Sequence, residues 1–268
     1  MRCELCGHFL NRHQMYQDTL YAGDYVSATY GDDGGLQRAY DRVMELNPSK
    51  SDNVGRVRRV LEFATRWFVA AEVEVGRASV LDVGSGLCVF LSRMKAAGWD
   101  CTAVDPDARA VKHAEETVGV RAVCGDFLAL ESLGRFDVVT FNKVLEHVED
   151  PLRMLVNARR HLTPGGFVYV EVPDGEAALA EGPDREEFFI DHRHAFSSAS
   201  LSLLASRACF MIRTVERLRE PSSKFTLRAF LTPVEPIVPI GHSPPTDSAV
   251  TDASAGRSMS ASFSPDAP

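Results

Sequence analysis

Three acidic residues, each at the end of a short apolar run, are the first feature of this sequence that suggests chemistry. Asp82 lies in Val80-Leu81-Asp82-Val83, directly before Gly84-Ser85-Gly86; Asp105 ends Ala103-Val104-Asp105 before Pro106; Asp126 stands between Gly125 and Phe127. Two glycines after a strand let the backbone turn tightly and let a ligand approach the chain closely. The dinucleotide fingerprint GxGxxG would need a third glycine at position 89, where the residue is Val89. A carboxylate at Asp82 also suits a cationic ligand better than a pyrophosphate. Asp105 follows Gly86 by 19 residues, the distance at which a strand-end carboxylate reaches a ribose diol. Asp126 and Phe127 together offer a hydrogen bond and a ring to an adenine.

A second constellation is Asn142-Lys143-Val144-Leu145-Glu146-His147-Val148-Glu149-Asp150-Pro151. A histidine titrates near neutral pH and can take a proton, and an adjacent carboxylate raises its basicity. The plainer reading is that Glu146 and His147 close the turn before a helix starting near Pro151. A third segment, Phe189-Ile190-Asp191-His192-Arg193-His194-Ala195-Phe196-Ser197, carries two histidines into another helix. Cys3-x-x-Cys6-Gly7 has the spacing of one zinc knuckle, but structural zinc needs four ligands. No second CxxC exists, and His8 and His13 are poorly spaced to complete the set. The other cysteines, Cys88, Cys101, Cys124 and Cys209, are single. With no disulfide framework, a reducing cytoplasm is the expected setting.

The elements that must position these residues alternate regularly. Apolar runs at 79–83, 101–104, 121–124, 136–141 and 167–172 read as strands, and amphipathic stretches at 54–71, 89–97, 108–118 and 151–162 as helices. Thr163-Pro164-Gly165-Gly166 stops the last of these helices, and Asp32-Asp33-Gly34-Gly35 reads as a turn. A further helix at 200–208 precedes runs at 210–215 and 225–231 that can pair as a hairpin. The expected fold is α/β: a doubly wound, mostly parallel seven-stranded sheet with an antiparallel last hairpin. The 268 residues carry a formal charge of -8, which argues against a nucleic-acid partner bound through a basic face. No apolar run is long enough for a membrane span.

With these residues in place, the chain resembles the class I S-adenosylmethionine-dependent methyltransferases over residues 54–233. Cys88 stands where that family usually has the third glycine of its loop. The resemblance implies that Gly84, Ser85 and Gly86 form the loop beneath the methionine part of the cofactor. It sets Asp82 near the ammonium, Asp105 with Pro106 at the ribose, and Asp126 with Phe127 at the adenine; Asn142 completes the set. Leu145-Glu146-His147-Val148-Glu149-Asp150-Pro151 resembles the LEHxxDP segment of methyltransferases acting on quinone precursors and deoxysugars. There the Glu-His pair is variously a general base or a ligand of a divalent metal beside the acceptor. His192 matches that subgroup's histidine and is expected near the substrate. Residues 1–53 resemble the remnant of a zinc-binding module with a tyrosine-rich stretch, and 234–268 read as a disordered Pro/Ser-rich tail. The function implied is methyl transfer from S-adenosylmethionine to oxygen or carbon of a small-molecule acceptor. A non-catalytic binding or scaffold protein is the alternative, and a nicotinamide-dependent oxidoreductase a weaker one. The Asn/Asp-Pro-Pro-aromatic motif of nucleic-acid amino methylation does not follow the fourth strand.

Overall fold

Capping side chains and alternating apolar residues set the boundaries of most elements in the computed structural model, which describes residues 1–11, 33–71, 77–189 and 191–234. The expected tail from 235 onward, His13, and the tyrosines from Tyr16 to Tyr30 lie outside the described residues. In chain order the elements are β1 (Phe9–Leu10), α1 (Asp33–Met44), α2 (Asp52–Ala71), β2 (Ser79–Val83), α3 (Val89–Ala96), β3 (Asp100–Asp105), α4 (Ala108–His113), β4 (Arg121–Cys124), β5 (Phe136–Asn142), α5 (Pro151–Arg160), β6 (Leu162–Pro173), α6 (Gly175–Leu179), β7 (His194–Ala195), α7 (Ser198–Arg207), β8 (Phe210–Arg219) and β9 (Phe225–Pro233). Asp107, Asp150 and Asp174 accept backbone N–H groups at the starts of α4, α5 and α6. Ser197 and Ser200 form a capping box on α7.

Seven strands form one sheet in the order β4-β3-β2-β5-β6-β9-β8. The first five are parallel, and β9 runs antiparallel to both β6 and β8. The expected doubly wound sheet with an antiparallel hairpin is therefore the observed one. Successive residues of a strand face opposite sides, and two apolar clusters follow. Leu81, Val83, Val139 and Phe141 belong to one; Val80, Val138, Phe167 and Tyr169 belong to the other. Among the described residues, no helix is long and apolar enough to cross a membrane.

Two local expectations are corrected. Asp33, Gly34 and Gly35 open α1 instead of forming a turn. That helix is held by its apolar face: Leu36 is buried, and the Tyr40 hydroxyl lies 2.8 Å from Ser92 Oγ. Thr163-Pro164-Gly165-Gly166 does not stop α5, which ends at Arg160 with His161 as its C-cap; these four residues lie inside β6, where the register with β5 shifts between Phe136 and Val138.

Glu171 of β6 is fully buried at the centre of a charged cluster. Arg56 of α2 binds it through Nε at 3.0 Å and through Nη2, and Arg228 of β9 through Nε at 3.1 Å. The Tyr169 hydroxyl donates at 2.8 Å, and Lys143 Nζ lies 3.9 Å away. Burial alone would raise the carboxyl pKa of Glu171, but Arg56, with Lys143 and Arg228, holds it well below the usual carboxylate range. Removing this one anion leaves Arg56 without its buried partner and Arg228 with Glu220 alone. Glu171→Ala should therefore cost about 3–5 kcal/mol of folding stability, read as a lower urea midpoint; a loss below about 1 kcal/mol would contradict this role.

Candidate active site

Parallel strands ending at one edge of the sheet bring the predicted residues to a common cleft. Among the described residues it has a volume of about 1560 Å³ and is lined by Asp82, Gly84, Ser85, Gly86, Asp105 and Pro106 on one side. Asp126, Phe127, Asn142, Glu146, His147 and His192 line it as well. Single-ligand pockets occupy roughly 300–1,000 Å³, so this cleft is large enough for two ligands side by side.

The glycine loop is shaped by its neighbours. Gly84 has φ +71°, and a Cβ there would stand 2.7 Å from Val144 Cγ2, so a side chain at this position would be strained and would force Val144 to move. Cys88 occupies the position of the missing third glycine and adopts the left-handed conformation, φ 58°, at the start of α3. Its side chain is fully buried, and burial pushes its thiol pKa far up.

The acidic strand ends are hydrogen-bonded; Asp82 and Asp105 are buried, whereas Asp126 is exposed. Asp82 Oδ1 accepts from the Thr140 hydroxyl at 2.6 Å and from Asn142 Nδ2 at 2.7 Å. Burial still raises its pKa to about 6. Asp105 accepts from the backbone N–H of Gly86 and of Asp107, each at 2.9 Å, and burial raises its pKa too. Asp126 Oδ1 accepts the N–H of Leu128 at 2.9 Å. Phe127 borders the cleft. Its ring is 3% exposed and packs against Phe141 and His161 at centroid distances of 5.9 and 5.5 Å.

Glu146, His147 and His192 come together at the other end. One ligating atom from each lies within 4.8 Å of those of the other two, and the two imidazoles meet edge to face at 4.9 Å. His147 Nδ1 donates to the Asp191 carbonyl at 2.9 Å and His192 Nδ1 to the Glu187 carbonyl at 3.0 Å. A carbonyl accepts only a protonated nitrogen, so both neutral rings carry their lone pair on Nε2. Glu146 is 0% exposed, and neither carboxylate oxygen has a hydrogen-bond partner. Ser85 Oγ and Asn142 Oδ1, also on the cleft, are buried and unpartnered. Buried polar atoms normally find partners, so these orphans mark the cleft as built for a polar ligand. A fully buried carboxylate beside two imidazoles fits a divalent cation, which satisfies such a set directly. Histidines anchored through Nδ1 to carbonyls are also the usual support of metal ligands.

Sequence reasoning missed Arg56 and Lys143, which line the cleft next to Glu171. Arg56 reads in the sequence as one of several arginines on an amphipathic helix. Lys143 follows β5 with φ 61°, and its Nζ donates to Thr226 Oγ1 at 2.7 Å. At the N-terminus, Cys3 is exposed and Cys6 partly buried. Backbone N–H groups of Cys6 and Leu5 lower the Cys3 thiol pKa. Among the described residues neither thiol belongs to a cluster able to hold a metal. His8 lies against His194 and Ser200.

Comparison with known proteins agrees with this architecture. The Ubiquinone biosynthesis O-methyltransferase of Xanthomonas campestris pv. campestris (strain B100) is 37% identical over 110 residues, 38% of this chain and 46% of the relative. The enzyme of the same name from Bordetella avium (strain 197N) is 37% identical over 139 residues, 49% of this chain and 54% of the relative. The chain thus spans about half the length of the curated relatives it matches. Among solved structures, magnesium protoporphyrin IX methyltransferase from Synechocystis PCC 6803, with bound SAH, superposes with a TM-score of 0.59 at 15% identity, covering 81% of this chain and all of that one. Burkholderia thailandensis 1,6-didemethyltoxoflavin-N1-methyltransferase gives 0.54 at 17% identity, covering 87% and 97%. At such identities the likeness is one of fold. The description "Methyltransferase domain" matches residues 37–215, well over half of the chain, and this protein belongs to that family.

Proposed function

We propose that this chain transfers a methyl group from S-adenosylmethionine to an oxygen or carbon of a small-molecule acceptor. The observation that carries the reading is the single cleft onto which the Gly84 loop, three acidic strand ends and the Glu146–His147–His192 cluster all open. The cofactor brings an ammonium, a ribose diol and an adenine, and Asp82, Asp105 and Asp126 supply acceptors of matching charge and hydrogen-bonding type. Ser85 and Asn142 offer further polar atoms to the cofactor, and Pro106 and Phe127 its apolar border. His192 lies at the acceptor end.

In the reaction the acceptor atom attacks the methyl carbon, the carbon–sulfur bond breaks, and sulfur leaves as a neutral thioether. The chain has to align the nucleophile and receive its proton. His147 Nε2, with its lone pair fixed by the Nδ1–Asp191 hydrogen bond, is the proton acceptor in the first reading. The orphaned Glu146 carboxylate favours a second reading, in which Glu146, His147 and His192 hold a divalent cation. Such a cation would lower the pKa of an acceptor hydroxyl and so ionise it ahead of transfer.

Incubation with S-adenosylmethionine and a panel of phenolic, hydroxyl and carbon-acid acceptors, read as mass gain of one methyl, tests the activity. Within it, His147→Ala should leave S-adenosylhomocysteine affinity nearly unchanged and lower turnover by about 10²- to 10⁴-fold. Loss of a single ionisation from the pH–rate profile would identify the base; abolition by chelator, with recovery on adding magnesium or zinc, would identify the cation site. Parental turnover in His147→Ala would remove both roles.

Asp82 gives a pH prediction. A ligand ammonium beside it favours the carboxylate, so below a free-protein pKa of about 6 binding must first release a proton. Affinity for S-adenosylhomocysteine should then fall roughly tenfold per pH unit as pH drops beneath that value, and level off above it. Asp82→Asn should be weaker at neutral pH and lack that slope; an identical slope in the variant would place the titrating group elsewhere.

A further inference from the structure

We propose that the first eleven residues brace the catalytic loop, with His8 and His194 acting as positioning residues for Glu146 and His147. This rests on the reading of that pair as the acceptor end of the site. The matched domain spans residues 37–215, so His194 lies inside it and the first eleven residues outside.

His194 grips the loop at two points. Its backbone N–H donates to the Glu146 carbonyl at 3.0 Å, and its ring Nε2 donates to the Val148 carbonyl at 3.1 Å. It stands two residues after His192, so both parts of the Glu146–His147–His192 cluster are tied to one short strand. That strand, β7, has two residues and pairs with β1, Phe9 opposite Ala195 and Leu10 opposite His194. The Asn11 N–H extends the pairing to the Arg193 carbonyl at 2.9 Å.

A side-chain relay completes the brace. With the His194 Nε2 proton given to Val148, its Nδ1 must accept, and His8 Nε2 stands 3.0 Å away to donate. His8 Nδ1 in turn faces the Ser200 hydroxyl at 3.3 Å, which also reaches the Ser197 carbonyl. Cys6 and Phe9 are seated closely on α6 and α7: Ser197 Oγ donates to the Cys6 carbonyl, and a Cβ on Gly175 would stand 2.8 Å from the Phe9 ring. Burial lowers the pKa of both histidines, that of His8 to about 4, in keeping with a relay of neutral rings. The Glu146 carboxylate, which has no hydrogen-bond partner, makes such a brace useful, since a buried group without such partners is not held in place by its own hydrogen bonds. Outer supports of this kind typically change ligand affinity 10–100-fold when removed.

Amide hydrogen exchange on the full chain decides the matter without cofactor or metal. In His8→Leu, amides of residues 144–150 should exchange at least tenfold faster than in the parent, while those of β5 keep their protection. His8→Gln, which retains a donor toward His194 Nδ1, should restore most of the protection. Cobalt(II) alone, titrated into the same proteins, should bind His8→Leu about 10–100-fold more weakly, with S-adenosylhomocysteine affinity unchanged. Parental exchange at 144–150 in His8→Leu would overturn the proposal. So would equal acceleration in β5, or failure of His8→Gln to restore protection. Should His8→Leu not fold, His8→Ala, which adds no bulk, carries the same readout. Failure of cobalt to bind the parent would count against the cation reading of the site and leave the exchange result to decide the brace.

Discussion

Parallel pairing of β2 with β3 on one side and β5 on the other is the constraint on which the site depends. Asp82 stands opposite Ala103 and Thr140, and Val83 opposite Val104 and Phe141. The strands therefore run out at one edge, and whatever follows each of them shares one cleft. Asp82 and Asp105 are thereby forced close together in a buried place, and burial raises the pKa of both. The protein keeps polar and charged groups there that would fold more comfortably as apolar ones. Such a cost is usual where a ligand, not the fold, supplies the missing partners.

The same pairing brings a cationic cluster alongside the acidic edge. Glu171 is the β-partner of Asn142, so the strand that ends at the cleft is flanked by Arg56, Arg228 and Lys143 gathered on one carboxylate. With Glu220 also paired to Arg228 at 2.7 Å, the cluster keeps an excess of positive charge and joins α2, β6 and β9 beside the cleft. Coulombic attraction from Arg56 reaches Asp82 and lowers its pKa against the effect of burial. The cluster thus contributes to the local potential at Asp82.

Much of this was legible in the sequence because it is written locally. Strand spacing, Asp82-Val83-Gly84-Ser85-Gly86 and the carboxylates at 105 and 126 each depend on near neighbours and a period of two. What was not legible needed distant partners. Nothing near His8 announces that it will meet His194, and two-residue strands such as β1 and β7 have no period to detect. Asp33-Gly34-Gly35 suits a turn and a helix start equally, and the apolar face of α1 decides between them. Phe127 borders the cleft while also packing on Phe141 and His161, contacts that no local motif announces. The isolation of Glu146 is likewise a property of its burial, which no local motif encodes.

Calorimetric titration of the parent and Asp105→Ala with S-adenosylhomocysteine, with NADP as the contrasting ligand, tests the central claim most directly. One site per chain for S-adenosylhomocysteine, weakened at least tenfold by Asp105→Ala without loss of fold, with no heat from NADP, is the predicted result. Binding of NADP with none of S-adenosylhomocysteine, or equal affinity in parent and Asp105→Ala, would contradict it.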